Sequence, residues 1–153
     1  MMSSLDALVD EWLRLDRNES TRTEILKLLD AGETVELEKR MRVRIQFGTA
    51  GLRGRMEAGW SRMNDLIVIQ ASQGLCAYAL KHVESAASRG VVIGYDHRHN
   101  SHRWAMLTAA AFINQNVRVY LSRGVVHTPI KAFESSLWCH DNRKSQPKGI
   151  FSP

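Results

Sequence analysis

The stretch VVIGY at residues 91–95 decides the fold class, because a nearly continuous apolar run is typical of a strand buried on both faces of a parallel sheet. A helical pattern starts at Ser101, and residues 117–121 form a second apolar strand. Strand, helix and strand in this order predict a βαβ unit. We therefore expect an α/β domain.

Helical patterns lie on both sides of this strand in the sequence. Upstream, a long helix is predicted from Asn64 to about residue 88, with Gly90 as its end. Its buried face is predicted to contain the apolar residues Val68, Leu75, Cys76, Ala79 and Val83. Downstream, the helix from Ser101 is predicted to direct inward the side chains of Trp104, Leu107, Ala111 and Phe112.

Three short helices are predicted before residue 43. Apolar residues recur at helical spacing over residues 4–15, which indicates an amphipathic helix. A second helix is predicted from near Thr21, with Glu24 at the capping-box position, and a third over residues 33–41. We interpret residues 1–42 as a helical lead-in with a structural role.

The segment FGTAGLRG at residues 47–54 carries the first candidate site. Its three glycines surround one threonine and one arginine, a composition that predicts a phosphate-facing turn. Arg53 is the candidate phosphate contact, although it could be a surface arginine on a glycine-rich hairpin. Thr49 could add a donor to the same anion or could only stabilise the turn.

Several segments together resemble the α-D-phosphohexomutases, and most closely their phosphoglucomutase and phosphopentomutase branch. These segments are FGTAGLRG, RMNDLIVIQ at residues 62–70, Gly74, VVIGYDHR at residues 91–98, VYLS at residues 119–122, and Thr128 with Pro129. The resemblance covers roughly residues 40–130 and is to the N-terminal domain alone. It implies that residues 43–130 form an incomplete three-layer αβα domain like domain I of that family, preceded by the short helices.

The resemblance also implies a set of site residues. It places Arg53 at the phosphate-transfer site, with Gly51 among the glycines that let the backbone bend around the anion. Arg98, in the element Asp-x-Arg that begins at Asp96, would border the active site, although the two residues could simply form an ion pair. Thr128 would line the approach of the substrate, a hexose or pentose phosphate.

The chemistry that the resemblance implies is phosphoryl transfer between the 1-position and the terminal hydroxyl of a sugar phosphate, through a phosphoserine. The family holds Mg²⁺ in a DGDxDR-type loop, reads the sugar with a GE-containing loop and binds the distal phosphate with a C-terminal domain. None of these elements appears in the 153 residues, so we expect no Mg²⁺ ligands and no mutase activity from this chain alone.

The tail after about Ile130 does not resemble the family in the frame as written. The family's next strand and loop run approximately GVMITASHNPK, and the serine carries the transferred phosphate. Residues 138–149, back-translated from the second nucleotide of each codon, permit that whole string under the degenerate code. We interpret residues 131–153 as an out-of-frame translation of the catalytic segment, and expect a disordered tail.

Composition excludes several other classes of protein. The fractions of hydrophobic (44%) and charged (24%) residues are those of an ordinary globular domain. The net charge of +5 raises nucleic acid as a partner, but no basic stripe interleaved with aromatic residues supports it. Two cysteines cannot make a disulfide framework, and no apolar run is long enough for a membrane span. We expect a cytoplasmic protein, and the sequence does not define its oligomeric state.

Two interpretations stay open at this point. The chain is a truncated member of the mutase family, with activity in the full-length form, or it is a non-catalytic module that binds sugar phosphates or another protein. The histidines His97, His99 and His102 could suggest zinc, but their irregular loop spacing favours solvated side chains.

Overall fold

The computed structural model describes residues 4–49 and 51–126, together with the backbone of residues 151–152. The chain divides into two compact units, Met1–Gln70 and Ala71–Pro153. In chain order, the elements are α1 (Leu5–Leu15), α2 (Glu19–Asp30), α3 (Thr34–Met41), β1 (Phe47–Gly48), β2 (Gly51–Leu52), α4 (Asp65–His82), α5 (Ala86–Arg89), β3 (Val91–Tyr95), α6 (Ser101–Ile113), β4 (Val119–Val125) and β5 (Phe151–Ser152).

The first unit begins with the three helices of the predicted lead-in. Ser4 caps α1 by accepting a hydrogen bond from the backbone N–H of Ala7, and α3 starts within one residue of its predicted position. The prediction for α2 is wrong at its start. Asn18 caps this helix, so the first turn lies before Thr21 and Glu24 is free to make contacts with other segments.

A single apolar cluster fills the first unit. Trp12 of α1 and Trp60 are its largest members, and their rings pack edge to face with centroids 4.9 Å apart. The buried members are Val9, Trp12, Ile25, Leu37, Met41, Ala58, Trp60, Leu66 and Ile67. Each lead-in helix contributes at least one of these side chains, which explains why the helices pack as a group.

Residues 43–62 contain little regular strand structure. The strands β1 and β2 are two residues each, and residues 53–64 contain turns and bends. Backbone groups here bond locally instead of in a ladder: Ile45 N–H donates to the carbonyl of Trp60, and Met63 N–H donates to the carbonyl of Arg55, both at 2.8 Å. The glycine-rich composition favours such turns over extended pairing.

The second unit contains the predicted βαβ arrangement. The strands β3 and β4 are parallel, with Val91 opposite Val119 and Ile93 opposite Leu121, and α6 connects them. The bounds of β3 are those predicted, whereas β4 begins two residues later than expected. The α/β fold class is therefore confirmed. In the backbone of β5, Phe151 pairs antiparallel with Ser122 of β4.

The predicted long helix is present, but its predicted end at about residue 88 is wrong. It ends at His82, and Ser85, with a φ of 57°, breaks the path before the four-residue α5. Cys76 is fully buried against Phe112 and Val117, as predicted for a core position, and this burial raises the pKa of its thiol. Leu75 and Val83 are instead 57% and 42% exposed. Leu75 lies on another face of the helix than Cys76, and Val83 follows the last residue of the helix, His82.

The inward face of α6 is built from small residues. Ala105 and Ala109 pack against Ile93 of β3, and Ala111 and Phe112 are also buried. Phe112 and Ala111 thus follow the prediction, while Trp104 and Leu107 are half-buried. A helix can approach a sheet closely where its contact residues are alanines, which leaves larger neighbours at the margin.

Part of the prediction for the tail cannot be compared with the structure. Residues 127–150 and residue 153 lie outside the described residues, and they include Thr128 and most of the segment predicted to be out of frame. The boundaries predicted at residues 42 and 130 stay predictions.

Candidate functional site

The glycine-rich segment forms a short hairpin in the first unit. Phe47 pairs with Leu52, and Gly48 pairs with Gly51, in antiparallel register. Thr49 lies at the tip and is exposed to solvent. Gly51 has a φ of 89°, and no atom lies within 4 Å of the place where its Cβ would be. Glycine is therefore favoured there by the backbone conformation and not by crowding.

Arg53 follows β2 directly and is exposed. No hydrogen bond or ion pair joins its side chain to any residue that the structure describes. Its neighbour Arg55, by contrast, lies 3.9 Å from a carboxylate oxygen of Glu57. A guanidinium without a protein partner keeps all of its donors for an anion, and phosphate accepts a pair of them in parallel.

The hairpin is anchored to the loop that follows it. We call residues 55–63 the base loop. Ile45, before the hairpin, donates its N–H to the carbonyl of Trp60, and the base loop is closed on itself by the N–H of Met63, which donates to the carbonyl of Arg55. Gly54 fits tightly at this junction, since an added Cβ would lie 3.1 Å from Cδ1 of Ile45.

Five charged side chains from the base loop and from α2 and α3 lie together. We call them the Arg40 cluster: Glu24, Glu36, Arg40, Glu57 and Arg62. Arg40 is at the centre with a side chain only 10% exposed. Its Nε donates to Glu36 at 2.8 Å, its Nη1 donates to Glu24, and its Nη2 lies 3.6 Å from Glu57. Arg62 completes the cluster through its Nε, which donates to Glu57 at 2.9 Å.

Electrostatics within the cluster favour the charged forms. The hydrogen bond from Arg40 lowers the pKa of Glu36 against the opposing effect of desolvation. Burial disfavours the charge on Arg40, but its hydrogen bonds to Glu36 and Glu24 outweigh that effect and raise its pKa. The sequence signal for this cluster is weak. The spacing of Glu36 and Arg40 is visible on one helix, but Glu24 and Glu57 come from segments that only the fold brings together.

The second candidate element follows β3 in the second unit. Arg98 donates from Nε to Oδ2 of Asp96 at 2.7 Å and from its backbone N–H to Oδ1 at 3.0 Å. These two bonds from Arg98 hold the pKa of Asp96 well below its usual range. The ion pair considered from the sequence is therefore present. The side chain of Arg98 is still 86% exposed, and its contact with substrate stays a prediction.

The structure thus brings three predicted site residues together in one hairpin: Thr49, Gly51 and Arg53. Arg98 belongs to the other unit, and Thr128 lies outside the described residues.

Neither a metal site nor a membrane span is found in the part of the chain that the structure describes. There, no three His, Cys, Asp or Glu side chains are grouped so that they could hold a metal ion, so the described residues do not fit the Mg²⁺ that the resemblance implies. None of the described helices combines the length and the apolar character that a bilayer crossing requires.

Comparison with known protein families matches residues 44–137 to the alpha/beta/alpha domain I of the phosphoglucomutase/phosphomannomutase family. This range includes the hairpin, the base loop and the βαβ unit, and it extends seven residues beyond the predicted boundary at residue 130. No solved structure matches the chain.

Curated relatives match most of this chain with a small part of their own length. A probable phosphoribomutase of Schizosaccharomyces pombe is 50% identical over 129 residues, which are 84% of this chain and 22% of that protein. A mouse phosphopentomutase is 43% identical over 142 residues, covering 89% of this chain and 23% of the relative. A human glucose 1,6-bisphosphate synthase is 43% identical over 131 residues, 82% and 21% of the two chains. The chain therefore spans about a fifth of the length of these relatives.

Proposed function

The chain belongs to the phosphoglucomutase/phosphomannomutase family, and from this premise we propose that it is the phosphate-facing N-terminal part of a sugar-phosphate mutase. In the complete enzyme, a phosphoserine donates its phosphoryl group to a free hydroxyl of the sugar phosphate, so the bond from the serine oxygen to phosphorus breaks as the bond to the sugar oxygen forms. The serine oxygen then takes the other phosphoryl group from the bisphosphate. Ribose 1-phosphate is the first substrate to assay, since two of the relatives above carry the names phosphoribomutase and phosphopentomutase.

The observation that carries this proposal is the exposed guanidinium of Arg53, which lies beside a glycine-rich hairpin and is paired with none of the described residues. Phosphate needs donors and positive charge that are not already used by the protein. Arg53 supplies both, and Thr49 adds a hydroxyl at the tip of the same hairpin. Arg98 and Thr128 are proposed to lie along the substrate approach.

Catalysis is proposed to require elements beyond this chain. The phosphoserine loop and the Mg²⁺ loop of the family are not encoded in the frame as written. We propose that residues 131–153 are an out-of-frame translation of the catalytic segment, and that the frame-corrected, full-length form is the active, Mg²⁺-dependent mutase. The absence of a disulfide framework supports a reducing compartment, so we place the protein in the cytoplasm.

Binding of phosphate tests the role of Arg53 in the chain as it exists. Titration with ribose 1-phosphate and inorganic phosphate, followed by the backbone amide signals of Gly48, Gly51 and Gly54, is expected to show saturable shifts. Arg53→Ala should weaken binding by about tenfold or more, because a charge-assisted phosphate contact contributes roughly 1.5–3 kcal/mol.

The matched control is Arg55→Ala. Arg55 lies two residues after Arg53, carries the same charge and has a side chain that is 80% exposed. This variant is expected to keep the affinity within about twofold. Equal weakening by the two variants would mean that the anion responds to general positive charge, and the assignment of the phosphate turn would fail.

The frame is tested at the level of the transcript. Codons that cannot encode GVMITASHNPK in the shifted frame would overturn the proposal for the tail.

The chain as written is expected to show no conversion of ribose 1-phosphate or glucose 1-phosphate in the presence of Mg²⁺ and a bisphosphate primer. Correcting the frame near Ile130 and continuing into the downstream sequence is expected to restore turnover.

A further inference from the structure

The hairpin of residues 47–52 has few contacts of its own that could fix its direction. Its two strands are two residues each, and Phe47, Gly48 and Thr49 are exposed. A two-stranded ribbon of this length is not stable alone in water. The position of Arg53 therefore depends on the structure to which the hairpin is anchored, which is the base loop.

The base loop is held by the lead-in helices through both backbone and side chains. Glu24 of α2 accepts the backbone N–H of Ala58 at 3.1 Å, and the carbonyl of Arg40 in α3 accepts the N–H of Ser61 at 3.1 Å. The hydroxyl of Ser61 donates to the carbonyl of Lys39 at 2.9 Å. The helices α2 and α3 thus both hold the base loop, α2 at Ala58 and α3 at Ser61.

The approach of the base loop to α3 is as close as backbone allows. Gly59 has a φ of 123°, and a Cβ added there would lie 2.8 Å from Cβ of Arg40 and 2.9 Å from its carbonyl oxygen. Asn64 closes the other side by donating from Nδ2 to the carbonyls of Glu57 and Gly59, both at 3.0 Å. The loop therefore has one defined position on α3.

Burying charged groups at such a contact has a large desolvation cost. Arg40 is nearly buried, and desolvation opposes its charge. An apolar replacement of similar volume can stabilise a buried ionic site equally well, whereas directional hydrogen bonds specify geometry. The Arg40 cluster makes directional contacts on α2, α3 and the base loop together, so its chief effect is to fix their mutual geometry.

We propose that the Arg40 cluster positions the phosphate turn, with Glu24 and Arg40 as positioning residues that act on Arg53 through the base loop. This inference rests on the proposed function, because it assigns the lead-in helices a role in phosphate binding beyond packing. The chain of contacts runs from Glu24 and Arg40 to residues 58–61, from Trp60 to Ile45, and so to the hairpin.

The test measures mobility and affinity in the same protein. Backbone ¹⁵N order parameters of residues 46–54 and affinity for inorganic phosphate are compared between the wild-type chain and Glu24→Gln. The amide NH₂ of glutamine faces a donor, either the N–H of Ala58 or the guanidinium of Arg40, so one of the two bonds is lost. The order parameters are expected to fall from about 0.85 towards 0.6, and phosphate affinity to fall threefold to tenfold.

The matched control is Glu38→Gln, which removes the carboxylate of another i,i+4 ion pair on α3. Glu38 bonds to Arg42, the residue that caps the C-terminus of α3. This variant is expected to leave the order parameters of residues 46–54 and the affinity unchanged. Equal effects of the two variants would overturn the inference, because loss of α3 stability would then explain both.

Glu57→Gln is the second variant, for the case in which Glu24→Gln loses the dispersed amide spectrum of the folded chain. Wild-type order parameters and affinity in a folded variant overturn the positioning role while leaving phosphate binding by Arg53 intact. If Arg53→Ala itself binds phosphate like the wild type, the proposed function fails first, and the positioning role fails with it. The two failures are thus distinguishable.

Discussion

The two units of this chain build their cores from different kinds of side chain. The first unit buries two tryptophans and one arginine in contact with segments that are far apart in sequence. The second unit packs a helix of alanines on a short parallel sheet and leaves large apolar side chains of α4 and α6 exposed, namely Leu75, Tyr78, Leu80, Met106 and Ile113. The comparison shows that, among the described residues, the unit with the larger buried apolar cluster also contains the candidate phosphate turn.

The largest effect is expected from truncation of the central tryptophan of the first unit. Trp60→Ala should lower the free energy of unfolding by about 3–5 kcal/mol, because the side chain is 1% exposed and packs on Trp12. Phe112→Ala is the matched change in the second unit and should cost less, about 3 kcal/mol, because its cluster is smaller. Denaturant unfolding monitored by circular dichroism measures both. A larger loss for Phe112→Ala would reverse the comparison of the two cores.

A smaller loss is expected where the base loop meets α3. Gly59→Ala should destabilise the chain by about 3 kcal/mol, because the new Cβ meets Arg40 at 2.8 Å and the φ of 123° strains an L-residue. Gly32→Ala is the control: its φ is 67°, but no atom lies within 4 Å of the added Cβ. Its cost should be about 1 kcal/mol, from backbone conformation alone. Equal costs for the two variants would mean that the base loop moves away from α3 easily.

The sequence predicted the features that depend on neighbours along the chain. The strand β3, the start of α6 and the glycine-rich hairpin follow from local patterns, and each is present. The Arg40 cluster was beyond such reasoning, because Glu24 lies 34 residues from its partner Ala58. The sequence predicts a capping role for Glu24 within its own helix, and this local role gives no indication of its contacts with other segments.

The error in α4 has a different physical origin. Apolar residues occur on more than one face of this helix, so periodicity alone does not identify the buried face. The buried face is determined by Phe112 and Val117, which pack on Cys76. After His82, the left-handed conformation of Ser85, with a φ of 57°, breaks the helical path.

The smallest effect tests this corrected face of α4. Leu75→Ala removes three carbon atoms from a side chain that is 57% exposed, and should change the free energy of unfolding by less than about 0.5 kcal/mol. Cys76→Ala removes one sulfur atom from a fully buried residue, and should cost about 1 kcal/mol. The residue that loses more atoms is therefore expected to matter less. If Leu75→Ala cost 2 kcal/mol or more, as core leucines do, Leu75 would be buried in solution together with Cys76, as the sequence predicts.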